Sequence, residues 1–150
     1  IGCRRRLGQT GERSIVVPPA ISAAASDLDA TFSGAGSLRL ESVGIAGVHL
    51  SNGSHTISVP VTLASNTIID GPGSVQFSRV DGNANLTVAG HASADVVRIN
   101  ALTVGGTFAI TPRTPGREAS RVSSLAIADG ATVDLTDNRL VIDYAGPSPI

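Results

Sequence analysis

Short runs of alternating apolar and polar residues, each cut off by a turn of small residues, constrain this chain more than any other feature. TISVPVTL alternates from Ile57 to Leu63, SVQFSRV from Val75, and NLTV from Leu86. Alternation with period two places successive side chains on opposite faces of a strand. Asp70-Gly71-Pro72-Gly73 and Asp81-Gly82-Asn83 separate the runs. Gly and Asn accept positive φ and Pro fixes φ, so these clusters read as turns. The same grammar covers the chain from Asp27 onward, with strands expected at Ser37–Glu41, Val43–Leu50, Thr67–Ile69, Val96–Ile99, Leu102–Val104, Thr107–Ile110, Leu125–Ile127, Thr132–Leu135 and Arg139–Tyr144. Pro60 cannot donate to a ladder, so it predicts a bend, an edge, or a corner between two sheets. Apolar residues at helical spacing do not persist over eleven residues anywhere after Asp27, and only Ser22–Asp29 suits a short helical turn.

The core implied by these strands is unusual in kind. Hydrophobic residues make up 41% of the chain but aromatics only 3%, so the interior must be built from many Val, Ile, Leu and Ala side chains. A motif of Gly, small or polar residues, then apolar-x-apolar recurs at Gly36, Gly73, Gly106 and Gly130, at spacings of 37, 33 and 24 residues. A degenerate repeat of variable length fits the coils of a solenoid whose corners accept insertions. Each coil would stack on the next at about 4.8 Å, with one small aliphatic piled on its equivalent. The expected fold is an all-β parallel β-helix segment over residues 27–150. The alternative is an antiparallel β-sandwich, which the regular strand spacing also suits. Residues 1–26 differ. IGCRRRLGQTGER is basic and aperiodic, and Pro18-Pro19 interrupts the next apolar stretch, so an irregular, disordered leader is expected, with Ile15–Val17 able to add an edge strand. The chain starts at Ile1 and has no Met, which reads as a fragment or a processed piece.

Charge and cysteine content narrow the function classes. The formal net charge is −1, so no long-range field favours nucleic acid or an acidic membrane surface. All eleven basic residues are Arg, and their scatter reads as genome composition and not as a phosphate-binding surface. Cys3 is the only cysteine, so no internal disulfide and no cysteine-based metal site can form. No apolar run approaches the roughly 18 residues of a membrane helix, and membrane insertion by this segment is not expected.

No catalytic constellation stands out. His49, His55 and His91 are far apart; only the first two could meet, across the Asn52-Gly53 turn, and no carboxylate is spaced in sequence to orient either ring. Asp70, Asp81, Asp95, Asp129 and Asp137 read mainly as turn formers. Asp134 lies mid-strand with Arg139 and Asp143 nearby, too thin a set to assign as paired carboxylates of a glycosidase. The Gly-x-Gly pairs precede no helix, so they cradle no phosphate, and neither a calcium nonapeptide nor a Gly-x-Ser-x-Gly elbow is present. No cofactor, no metal and no catalytic residue is expected. Thr111–Arg121 is polar, holds two Pro and a Gly, and reads as a loop projecting from the body, with Thr111, Arg113, Arg117, Glu118 and Arg121 as the candidate surface residues.

TISVPVTLASNTIIDGPGSVQFS, NLTVAG, LTVGGTFAI and SSLAIADGATVDLTDNRLVIDY together resemble the autotransporter-associated β-strand repeat proteins of bacteria, over roughly Asp27 to Tyr144. These motifs are turn-plus-strand patterns and not ligand sets. The resemblance implies a right-handed parallel β-helix passenger, secreted or held at the cell surface, with a structural or adhesive role and no enzyme activity. Its partners would be surface glycans or neighbouring repeats of a parent chain, with no nucleic acid. The alternative function is a carbohydrate-binding or polysaccharide-degrading β-helix module, which clustered Asp and Arg on one sheet face would favour. The chain departs from the family in lacking a membrane-pore barrel and a sorting signal.

Overall fold

The structure, a computed structural model, describes residues 20–23, 31–112 and 118–143. Sixteen strands follow one another, and no helix occurs among the described residues. The first coils contain β1 (Ala20–Ala23), β2 (Thr31–Phe32), β3 (Leu38–Leu40), β4 (Ala46–Leu50), β5 (Ser54–Ile57), β6 (Val61–Leu63) and β7 (Thr67–Asp70). Then come β8 (Ser74–Phe77), β9 (Val80–Gly82), β10 (Asn85–Val88), β11 (His91–Ala94), β12 (Val97–Val104) and β13 (Thr107–Ile110). The last coils hold β14 (Ser120–Ile127), β15 (Thr132–Asp134) and β16 (Leu140–Ile142).

Every strand pairing among these residues is parallel, and each strand pairs with its counterpart one coil away. The chain is a parallel β-helix of about five coils. The antiparallel sandwich is excluded, because a sandwich needs antiparallel neighbours. Each coil has three sides. Face A stacks β3, β6, β9, the start of β12, the start of β14, and β16. Face B stacks β1, β4, β7, β10, the end of β12 and the end of β14. Face C stacks β2, β5, β8, β11, β13 and β15. In the two longest strands the chain passes from face A to face B without a break, so what the sequence divides into Val96–Ile99 and Leu102–Val104 is one strand.

Alternation along each strand becomes columns along the axis. On face B, Ala46, Thr67, Leu86, Leu102 and Leu125 form one inward column, and Val48, Ile69, Val88 and Val104 the next, which Ile127 continues in register but half exposed. On face C, His55, Val75, Ala92, Phe108 and Val133 are in register, as are Ile57, Phe77, Ala94 and Ile110. Full burial of a Val, Leu or Ile contributes about 1.5–3 kcal/mol. Two polar residues sit in these columns with partners: the Thr67 hydroxyl donates to the Ser65 carbonyl at 3.0 Å, and His55 Nε2 lies 2.8 Å from the Asn52 carbonyl, which requires the Nε2–H tautomer.

Pro60 is a corner. It lies between β5 on face C and β6 on face A, outside both strands, and its carbonyl still accepts from Leu38 N at 2.8 Å. SVQFSRV is likewise bent, at Ser78-Arg79, between β8 and β9. Two expectations fail at the edges of the reading. Asp81-Gly82 is not a turn but the end of β9. Ser22 and Ala23 are not helical; they belong to β1, which pairs with β4 and so joins the ladder ahead of Asp27. Ile15–Val17 and the rest of the leader lie outside the described residues.

Coil length varies at the corner from face C to face A. Asp81 to Arg98 is 17 positions, whereas Arg98 to Arg121 is 23, because the segment 111–119 between β13 and β14 is longer than its counterpart between β11 and β12. The insertion leaves a mark on the ladder. At this corner the backbone N–H groups of Leu38, Val61 and Val80 donate to carbonyls of the next coil, those of Pro60, Arg79 and Val96. Val97 N instead donates to the Ser120 hydroxyl, at 3.1 Å and buried. The Ser120 side chain therefore takes the place of a backbone acceptor. Ser120→Ala is expected to strand this N–H, at a cost of about 1–3 kcal/mol. Urea denaturation should show the loss, amide exchange at Val97 should accelerate, and Ser120→Thr should retain most of the stability.

Candidate functional site

The charged residues that look scattered in sequence converge on face A. Register stacks Arg39, Thr62, Asp81, Arg98, Arg121 and Val141 in one column. Most neighbours of this column are inward-facing apolar residues, with Gly82 and the buried Ser120 as the exceptions, so alternation turns these side chains outward. Arg79, at the preceding corner, pairs with Asp81 and with Glu118, the latter at 2.7 Å. Both carboxylates raise the guanidinium's already high pKa, the Asp81 hydrogen bond most. Glu118 also lies 3.4 Å from Arg98, and Asp143 lies 3.6 Å from Arg121. At the far end Arg39 holds Glu41 with two hydrogen bonds, of 2.9 and 3.2 Å, which keep that carboxyl below its usual range. This last pair is a little under half exposed and isolated from the rest.

Beside Arg98 and Arg121 the surface sinks into a groove of about 410 Å³, lined also by Gly82, Asn83, Ile99, Asn100 and Ser123. Arg98 Nε is buried and has no hydrogen-bond partner. A second depression, about 280 Å³, crosses face C over Ser54, Ser74, Gln76, His91, Ser93 and Thr107. Its polar lining is hydroxyl, amide and two imidazoles, those of His91 and the buried His55, with no carboxylate to act as an acid or base.

The candidate loop is described only at its ends. Thr111 is tied to the body: its hydroxyl donates to Asp95 Oδ1 at 2.5 Å, and its carbonyl accepts from Asn138 Nδ2 at 2.7 Å. Glu118 is part of the face A cluster, and Arg121 lies within β14, not in a loop. Arg113 and Arg117 lie outside the described residues.

The histidines do not converge. His55 is buried, whereas His49 is on face B and His91 on face C. The expectation that no carboxylate orients them fails for His49, whose Nδ1 lies 2.7 Å from Asp70 Oδ1. The partner comes from the next coil, 21 positions on, because register sets Asp70 beside His49. Ser22 occupies the same register position one coil earlier. The His49–Asp70 pair is about half exposed (53% and 51%) and lies in neither depression, so it is a surface contact worth little. Asp134 does not join Arg139 and Asp143 in a site; its carboxylate accepts from Thr136 N at 2.8 Å and shapes the turn where Thr136 has φ 52°. No group of three metal-ligating side chains occurs among the described residues.

Comparison with protein-family models, with curated proteins and with solved structures returned no match to this chain.

Proposed function

We propose that this chain is a structural segment of a secreted or cell-surface bacterial repeat protein, a stack of coils that spaces and displays loops and has no catalysis of its own. The core carries this reading: the same inward columns continue from coil to coil, so each coil is held by its neighbours and the stack is stiff along its axis. The insertion at residues 111–119 fits display, since the ladder accommodates it with one hydroxyl substitution at Ser120. The likeness to autotransporter-associated repeats supports export and an adhesive role. Membrane-impermeant biotinylation of intact source cells tests the location. Labelling before lysis is expected; labelling only after lysis would remove the export reading, and a surface-labelled chain whose deletion leaves attachment unchanged would remove adhesion.

A second reading, a carbohydrate-binding module, is favoured by one observation: Arg79, Asp81, Arg98, Glu118, Arg121 and Asp143 gather on one face beside a groove.

A further inference from the structure

We propose that the groove beside Arg98 and Arg121 binds a carboxylate-bearing sugar, a uronate unit of an acidic polysaccharide; this rests on the carbohydrate-binding reading and names its ligand. Register places the two arginines directly beside each other on adjacent strands. Like charges so placed repel, and a β-ladder keeps such a pair only where something offsets it. The chain's own carboxylates offset it poorly. Glu118 gives its short contact, 2.7 Å, to Arg79 and only a 3.4 Å contact to Arg98. Asp143 stands 3.6 Å from Arg121. Charge-assisted N–H···O bonds are about 2.7–2.9 Å long, so both arginines retain donor capacity. Arg98 Nε has no hydrogen-bond partner but is buried, so the donors offered to a ligand are the terminal guanidinium nitrogens.

The chemistry of the lining narrows the ligand. Two adjacent planar guanidiniums match a carboxylate, which can accept two parallel N–H bonds. Asn83, Asn100 and Ser123 add amide and hydroxyl groups suited to sugar hydroxyls. The volume of about 410 Å³ falls within the range of small-ligand sites, about 300–1,000 Å³. A nucleic acid fits less well. Arg79, Arg98 and Arg121 are balanced by Asp81, Glu118 and Asp143, and no aromatic side chain lines the groove for base stacking.

Calorimetric titration of the intact chain with a galacturonate hexamer, with maltohexaose and with sodium sulfate at matched ionic strength tests the site. The galacturonate hexamer is expected to bind and the other two are not. Arg98→Gln and Arg121→Gln should each weaken binding about tenfold or more, the loss of one charge-assisted contact. Their side chains are 41% and 65% exposed, so their thermal melts should stay close to that of the parent chain. Glu118→Gln removes the carboxylate that competes for Arg98 and should tighten binding, a gain that a purely structural role for Glu118 does not produce. Absence of binding by both oligosaccharides overturns the proposal and the carbohydrate-binding reading together, and binding of maltohexaose alone overturns the proposal but keeps that reading. Binding unchanged in both arginine variants overturns this site and leaves that reading to another surface. Equal binding of maltohexaose keeps the reading but overturns the preference for a carboxylate. Equal binding of sulfate identifies a simple anion site and overturns the sugar.

Discussion

Phe77→Ala is expected to destabilise the protein by about 3–5 kcal/mol, the cost of deleting a buried aromatic and leaving its cavity. A typical domain has only about 5–15 kcal/mol to lose. Phe77 and Phe108 are the largest fully buried side chains, and their placement is complementary. In one face C column Phe77 lies between Ile57 and Ala94; in the adjacent column Phe108 lies between Ala92 and Val133. The coil that carries Ala92 and Ala94 is thus small on this side, and the aromatics of the coils before and after it fill the space. Removing Phe77 leaves Ala next to Ala94 in the column, with nothing to collapse inward. Ala94→Phe alone should overpack the same region, at about 1–3 kcal/mol. Combined with Phe77→Ala, it should cost less than the sum of the two, because volume moves by one coil and is not lost. Urea midpoints for the two single variants and the double variant measure the coupling. Strict additivity would mean that the columns do not share space and that the packing account is wrong.

The same alanine coil explains what sequence reading reaches and where it stops. The strand type, the low aromatic content and the Pro60 corner are legible because period-two patterning and the missing proline donor are local properties. The repeat length is not. Gly73 and Gly106, 33 positions apart, occupy one column two coils apart, and the coil between them contributes Gly90. Its strand, His-Ala-Ser-Ala, lacks the branched apolar residues that mark a strand start, so the period doubles when it is passed over. Gly130 lies one residue before the column position, which Ala131 fills, and Gly36 precedes a strand of another face. The site was harder still. Arg98 and Arg121 become neighbours only through a register that the insertion at residues 111–119 obscures, and the His49–Asp70 pair needs the same knowledge. The local signal is weak: Arg98 stands between two apolar residues, Val97 and Ile99, but Arg121 has one only on its C-terminal side, Val122.

Three glycines should separate two costs that a ladder corner imposes. At the corner from face B to face C the backbone of each coil presses on the previous one. A Cβ at Gly106 would stand 2.1 Å from the Gly90 carbonyl oxygen, and one at Gly71 would stand 2.2 Å from that of Leu50. Both obstacles are backbone, which cannot swing away as a side chain can. Gly71 adds a second cost, because its φ of +100° is one that side chains rarely adopt. Gly130 carries only the conformational cost: its φ is +77° and nothing lies within 4 Å of an added Cβ. Gly130→Ala is therefore expected to cost about 1–2 kcal/mol. Gly106→Ala should cost about 1–3 kcal/mol or somewhat more, through overpacking against backbone. Gly71→Ala combines both and should cost about 2–5 kcal/mol. Gly47→Ala, with open space and no positive φ, is the control and should stay near neutral or slightly stabilise. Thermal melts of the four variants rank them. If Gly106→Ala melts with the control, coils at this corner are further apart than the carbonyl contacts require, and the close stacking of the β-helix at its glycine column is refuted.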